Sequence, residues 1–254
     1  MTLLDRLFNL ASAIKFSTRK NLFVCVPFLL FSITGHAEPF VAGLNAMDRE
    51  HYATAFRAWK GLAETGEAEA QNNLGYLYQY GYGAKQSYTR AIRFYTLAAD
   101  QGLAEAHHNL GMLYFNGYGS PQNYDRAKRS FLKAAEKELG ASEYMLGLIY
   151  YQGLGLMQNY RRAKSYFIKA AKNGNVMGQF MLSFMLQVGE GHPDKEPEPL
   201  KAFIWSSIAI ENGYIEADSV LSFAKMQLTD ALQRKASAVA NTCKESDYEI
   251  SCPS

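Results

Sequence analysis

From about residue 67 onward, apolar positions recur with a helical period. Ala70, Leu74, Leu77 and Tyr78 share one face of a stretch that stops at Gly81, and Ala91, Tyr95, Ala98 and Ala99 share one face of the next, which stops at Gly102. Spacings of three and four residues mark amphipathic helices, and glycine ends them because it takes up positive φ without a Cβ clash. Ser87 stands where the second helix begins and predicts an N-cap there. The two-helix pattern then returns at a spacing of 36 residues. Leu74-Gly75 recurs as Leu110-Gly111 and Leu146-Gly147, and Tyr78 as Tyr114 and Tyr150. Gly81 and Gly83 recur as Gly117 and Gly119, then as Gly153 and Gly155. Tyr88, Tyr124 and Tyr160 match, as do Ala91, Ala127 and Ala163, and Ala98-Ala99 returns as Ala134-Ala135 and Ala170-Ala171.

The register extends both ways. Upstream, Tyr52, Ala55, Trp59, Ala63 and Gly66 fit the second half of a unit. Downstream, Leu182, Gly189 and Gly191 open a fourth unit, whose Pro-rich loop carries a three-residue insertion before Ala202, Trp205, Ala209 and Gly213 resume the pattern. Ala217 and Leu221 begin an incomplete fifth unit, and a last periodic stretch runs from about Thr229 to Val239. About 12 helices follow, with no strand signal. One such unit cannot bury its own apolar face, so the expected fold is all-α: a right-handed α-solenoid of stacked helix pairs with a C-terminal capping helix. Gly75 and its two copies are informative, because glycine inside a helix costs about 1 kcal/mol against alanine. Keeping it implies very close contact between two helices. The expected organisation is a signal peptide over 1–37, an N-terminal half repeat or cap over 38–66, the solenoid and cap helix over 67–242, and a disulfide-closed tail over 243–254.

The motif A-x-x-x-L-G-x-x-Y-x-x-G-x-G, followed by Y-x-x-A-x-x-x-Y/F-x-x-A-A-x-x-G, resembles the Sel1-like repeat, a relative of the tetratricopeptide repeat with a longer loop between its helices. The resemblance spans about residues 42–241. Glu138 departs from it at a helix-ending glycine position, and Glu196 at a tyrosine position. The resemblance implies an α-helical superhelix acting as a scaffold or adaptor, commonly in bacterial envelopes and secretion-linked signalling. Cysteine-rich bacterial members resemble penicillin-binding proteins or β-lactamases and carry a disulfide in each repeat. The repeats here contain no cysteine, so that activity is not carried over.

The N-terminus changes the picture of where the chain acts. Leu22 to Ile33 is a 12-residue apolar run preceded by Arg19 and Lys20 and followed by Gly35-His36-Ala37. A charged flank, a short apolar core and a small-residue exit read as a secretory signal cleaved after Ala37, with an uncleaved anchor as the alternative. Twelve helical residues reach only about 18 Å, short of the roughly 30 Å hydrocarbon core, so no stable span is expected once the signal is removed. Removing it leaves Cys243 and Cys252, an even pair suited to an oxidising compartment and able to close a small loop. The expected location is periplasmic or secreted. Four basic residues and one acidic residue lie before position 38, which leaves 22 basic and 23 acidic side chains beyond it. That balance argues against nucleic acid as a partner.

Candidate chemistry is sparse. Gly81-Tyr82-Gly83-Ala84-Lys85-Gln86-Ser87 is not a phosphate loop, because it lacks the P-loop spacing and a preceding strand. His107 and His108 are adjacent on one helix and point about 100° apart, so they do not chelate a metal together. Glu190, Asp194, Glu196 and Glu198 read as a solvated acidic loop, with a weak Ca²⁺ site as the alternative. No nucleophile–base arrangement is visible, and neither an enzyme nor a cofactor nor a resident metal is expected. The aromatics carry more. On each first helix, the side opposite Ala70, Leu74 and Tyr78 and their equivalents holds several large, mostly apolar residues. They are Tyr76 in the first unit, His108, Met112 and Phe115 in the second, Tyr144, Leu148 and Tyr151 in the third, and Phe180 and Phe184 in the fourth. In tetratricopeptide repeats this side lines a concave groove, so the residues are expected to form an exposed apolar strip that binds a protein or peptide. Stacking on cell-wall glycan is the alternative. An enzyme acting on peptidoglycan or β-lactams ranks third.

Overall fold

The computed structural model describes residues 37–248 and 252–253; apart from Ala37, the segment read as a signal peptide lies outside the described residues. The described chain holds twelve α-helices and no strand. They are α1 (Ala37–Asp48), α2 (Tyr52–Glu64), α3 (Ala68–Tyr80), α4 (Tyr88–Asp100), α5 (Ala104–Asn116), α6 (Tyr124–Ala135), α7 (Gly140–Gln152), α8 (Tyr160–Lys172), α9 (Val176–Val188), α10 (Pro199–Glu211), α11 (Asp218–Met226) and α12 (Asp230–Glu245). Helices α3 to α10 form four consecutive pairs, each packed within itself and against the next, as an α-solenoid requires.

Local chemistry sets the helix ends. Gly81, Gly117, Gly153 and Gly189 close the first helix of each pair in the left-handed conformation. The side chains of Ser87, Asn123 and Asn159 cap the second helices by accepting from the backbone N–H of Arg90, Arg126 and Arg162. Gln86, Gln122 and Gln158 then pin each loop by donating to the carbonyls of Gln79, Phe115 and Tyr151. Glu138, where a helix-ending glycine belongs, keeps the left-handed backbone at φ 58°.

The mid-helix glycines answer to an aromatic ring. A Cβ on Gly75 would lie 2.8 Å from the Tyr95 ring; on Gly111 it would lie 2.5 Å from Phe131, and on Gly147 2.4 Å from Phe167. Each ring is fully buried on the second helix of the same pair. The fourth pair solves the contact differently, with Ser183 at the glycine position and Ser206 at the ring position, both buried. The second glycine of each loop joins neighbouring units. A Cβ on Gly83 would meet the Tyr52 carbonyl oxygen, on Gly119 the Tyr88 side chain, and on Gly155 the Tyr124 side chain, each at under 3 Å.

The two ends gain detail. In the N-terminal part α1 packs on α2, Gly43 lies under the Trp59 indole, and Trp59 Nε1 donates to the Phe40 carbonyl at 3.2 Å. At the other end, α12 runs through Cys243 to Glu245, so the bridge to Cys252 (Cα–Cα 5.0 Å) starts on the helix itself. The closed loop is docked on the fourth pair. Trp205 Nε1 donates to the Pro253 carbonyl at 2.8 Å, and Asn212 Nδ2 donates to the Tyr248 hydroxyl at 2.8 Å.

The ring-on-glycine contact makes a sharp stability prediction. Gly147→Ala should lower unfolding free energy by about 1–3 kcal/mol through overpacking against Phe167. Gly61→Ala on α2 meets nothing within 4 Å and should raise it by up to about 1 kcal/mol through helix propensity. Urea unfolding of the two variants beside the parent chain checks both signs. Equal effects would mean that Phe167 does not hold the glycine in place.

Candidate functional site

The first helices touch one another from unit to unit. Asn109 Nδ2 on α5 donates to Asn72 Oδ1 on α3 at 2.9 Å, and His108 Nδ1 on α5 meets Ser142 Oγ on α7 at 2.8 Å. Helix α7 in turn packs on α9, and α9 on α11. This continuous row carries the nine residues expected to form the apolar strip.

Their exposure is uneven, and four of the nine need correction. Phe115 is 3% exposed and Phe180 5%, and Tyr144 and Leu148 are also buried. Phe115 lies edge-on to Tyr124, Tyr144 against Phe167, and Phe180 against Tyr214 at 4.8 Å between ring centres. A helix inside a stack has neighbours on several sides, so the side opposite one packed face is itself a packing face. In α7 every residue from Ser142 to Tyr150 is buried. Tyr76, Met112, Tyr151 and Phe184 stay half-buried, as does His108. These four large side chains, one on each of the four first helices, are what the row shows to solvent.

Burial also sets the electrostatics. The His108 ring is enclosed between Phe131 and Ser142, and burial lowers its pKa from 6.5 to about 4. It is therefore neutral at pH 7 and serves as a structural hydrogen-bonding group. Burial first, and then the neighbouring Glu190 carboxylate, hold the Tyr151 hydroxyl pKa well above its ordinary value. The acidic loop is only partly solvated. Asp194 and Glu196 are exposed, whereas Glu198 holds Lys164 and Lys201, each at 2.6 Å. Burial pushes the Glu198 pKa up, but the two lysines outweigh it and the net shift is downward. Among the described residues, no three His, Cys, Asp or Glu side chains gather as a metal site needs. No described helix is long and apolar enough to cross a membrane.

A cleft of about 700 Å³ opens where α11 and α12 diverge over α10, lined by Phe203, Leu221, Lys225, Gln233 and Arg234 among others. Neither the 36-residue period nor a motif marks this gap between helices. The tyrosines clustered at the loops of the first two units do carry a signal in the sequence: Tyr80 and Tyr82 flank Gly81, and Tyr118 lies between Gly117 and Gly119.

Comparison with known proteins agrees with this architecture. The Sel1 repeat matches over residues 68–103, 104–139, 140–175 and 176–214, more than half of the chain. The chain belongs to the Sel1 repeat family. Solved structures of this kind include a Sel1 repeat protein from Oxalobacter formigenes, 28% identical, covering 72% of this chain and 74% of its own, with a TM-score of 0.64. A second is c5321, described as a protective antigen present in uropathogenic Escherichia coli strains and displaying an SLR fold. It is 27% identical with a TM-score of 0.70, over 84% of this chain but only 46% of its own. A putative Sel1 repeat protein from Klebsiella pneumoniae, at 17% identity and a TM-score of 0.50, shares the fold alone. No curated protein matches the chain. Sel1 repeats are generally protein-interaction scaffolds.

The half-buried His108 of this Sel1 repeat protein gives a pH dependence. His108 has a depressed pKa in the fold, so its neutral form stabilises the protein above pH 6.5. That contribution is lost as pH falls from 6.5 toward about 4. The loss amounts to up to about 3 kcal/mol. Chemical unfolding of the parent chain and His108→Gln between pH 7 and pH 4 should show a steeper decline for the parent. Parallel curves would show that the His108 pKa is the same in the folded and unfolded chain.

Proposed function

We propose that this Sel1 repeat protein is an exported, non-enzymatic scaffold that binds a protein or peptide partner along the concave side of its first helices. The observation that carries the proposal is the row of half-buried Tyr76, Met112, Tyr151 and Phe184 on the first helices of four successive pairs. Large, mostly aromatic side chains held on a rigid support are the residues that dominate binding energy at interfaces. Phe115, Tyr144, Leu148 and Phe180 are buried on the same helices and fix those helices within the stack. A preformed support lowers the ordering cost of binding. Family membership favours a protein partner, because Sel1 repeats generally mediate protein interactions. The disulfide supports export, since such bonds persist in oxidising compartments and are rare in the cytosol. A second reading, cell-wall glycan, is favoured by the half-exposed rings of Tyr76 and Tyr151, which offer stacking faces.

Two experiments test this. A photo-crosslinking residue at Met112 or Phe184 should trap a protein, identified by mass spectrometry, that the same residue at the exposed Lys133 does not. Met112→Ala and Phe184→Ala should each weaken capture of that protein by roughly tenfold or more with little change in unfolding. Leu110→Ala, which truncates a buried side chain, should cost about 2–5 kcal/mol of stability. Equal trapping at Met112, Phe184 and Lys133 would remove the groove from consideration, and saturable binding of soluble peptidoglycan without any trapped protein would select the glycan.

For export, the intact mass of the secreted or periplasmic protein should correspond to a chain beginning at Glu38. A chain beginning at Met1 in the membrane fraction would select the anchor instead.

A further inference from the structure

We propose that the cleft between α4 and α6 binds an acidic segment of a partner protein, taking one aromatic side chain of that segment onto Tyr114 in the place that Ser130 leaves open. This rests on the scaffold reading only in taking a protein as the partner. The cleft lies between second helices, not on the row of first helices.

The repeat itself shows what belongs in the gap. Phe94, Ser130 and Tyr166 share one register on the second helices, and Trp205 takes it in the fourth pair, beyond the three-residue insertion. Phe94 stacks on Tyr78 at 5.7 Å and 8°, and Tyr166 stacks on Tyr150 at 5.5 Å and 4°. Both covered tyrosines are buried, at 8% and 9% exposure. Tyr114 has a serine where they have a ring, and it is only half-buried. A cleft of about 360 Å³ opens there beside Ser130, lined by Asp100, His107, Tyr114, Arg126, Arg129 and Lys133 among others. A cavity of about 150 Å³ already admits benzene, so a phenyl or phenol side chain fits with space for the chain that carries it.

The walls of the cleft are basic. Helices α4, α6 and α8 carry eleven lysines and arginines against two aspartates, Asp100 and Asp125, in a chain that is nearly balanced beyond position 37. Such a concentration of one sign steers and orients an acidic partner. Arg126 lies over the Tyr114 ring at 5.6 Å and forms no ion pair among the described residues. Asp125 holds Lys128 and Arg129, and Glu136 holds Lys133, in solvent-accessible pairs of the weak kind that an incoming carboxylate can exchange. Lys133 also stands at the position from which Lys169 covers the Tyr166 ring at 5.7 Å. A guest ring on Tyr114 therefore meets the same cation that the built-in ring meets one unit later.

The tail of the molecule shows a stretch of peptide seated in the corresponding groove, between α8 and α10. The Tyr248 ring lies against Gly174 at the end of α8, where a Cβ would be 3.7 Å away. Its hydroxyl accepts from Asn212 Nδ2, which also donates to Gln179 Oε1 at 2.9 Å, and the Pro253 carbonyl accepts from Trp205. Gln179 and Trp205 hold the registers of His107 and Ser130. Tyr248 stands between Asp247 and Glu249 in the sequence, so the seated segment is itself an aromatic flanked by carboxylates. Between α4 and α6 the equivalent seat is open and its walls carry more positive charge.

The test is calorimetric titration of the full chain with a peptide copying residues 245–251, with thermal unfolding recorded for every variant. The peptide should bind saturably, and its Tyr248→Ala version should bind about tenfold or more weakly. Ser130→Phe, which builds the missing ring into the cleft, should weaken binding by about tenfold or more while the thermal midpoint stays equal or rises. Ser130→Ala should bind as the parent does. Arg126→Gln should weaken binding and flatten its dependence on salt. Phe184→Ala should leave peptide binding unchanged while impairing capture in the groove, so the two surfaces fail separately. Equal binding by Ser130→Phe and Ser130→Ala, or of the peptide and its alanine version, would overturn the proposal. So would the absence of saturable binding. Binding of adenosine monophosphate or of phosphatidylglycerol vesicles in place of the peptide, abolished by Arg126→Gln, would overturn it in favour of a nucleotide or a membrane surface.

Discussion

The helix pairs depend on one contact, an aromatic ring lying where a Cβ would otherwise project from the facing helix. Tyr95 over Gly75, Phe131 over Gly111 and Phe167 over Gly147 set how closely the two helices of a pair approach. The glycine carries a propensity cost, and the buried ring offsets it with a large apolar surface and full packing. The fourth pair keeps the approach by shrinking the ring side to Ser206 and enlarging the glycine side to Ser183. Space is conserved while chemistry changes, and the serines satisfy themselves by donating to the Phe180 and Ala202 carbonyls on their own helices.

A second constraint acts between units. The second loop glycine rests on the leading tyrosine of the unit before it, so loop position and stacking register are fixed together. On the side of the second helices, Arg90, Arg126 and Arg162 each lie over Tyr78, Tyr114 and Tyr150 at 5.3–5.6 Å, covering the pair from outside. Lys164 of the third unit reaches Glu198 of the fourth, so the stretched loop is tied across the junction by charge where the tyrosine is missing. These ties leave the row of first helices with little freedom to rearrange.

Much of this was legible in the sequence because the 36-residue period is itself a physical object. The recurrence of Leu-Gly, of G-x-G and of Ala-Ala marks helix contacts, helix ends and the inner face of the second helix, and each lies where the period places it. Exposure was not legible in the same way. Helix-face arithmetic treats one helix with one packed side, whereas Tyr144 and Phe180 meet rings that come from further along the chain, Phe167 and Tyr214. Helix α1 escaped notice because it joins α2 through Arg49-Glu50-His51 rather than through a glycine loop, and its glycine, Gly43, is out of register with Gly75. Glu198 looked solvated in a charged, proline-rich stretch, and only the fold brings Lys164 to it.

The end of the array has a consequence for assembly. Every unit in a stack offers the next a surface ready to be covered, so an unblocked last unit would accept the first unit of another molecule. Such head-to-tail addition does not close on itself and leads to open filaments. Here Pro253 and Tyr248 occupy the Trp205 and Asn212 groups of the fourth pair, held there by a covalent bridge back to α12. The fourth pair is thus covered by α11 and α12, and the tail fastens that cover to it through one covalent bridge and two hydrogen bonds.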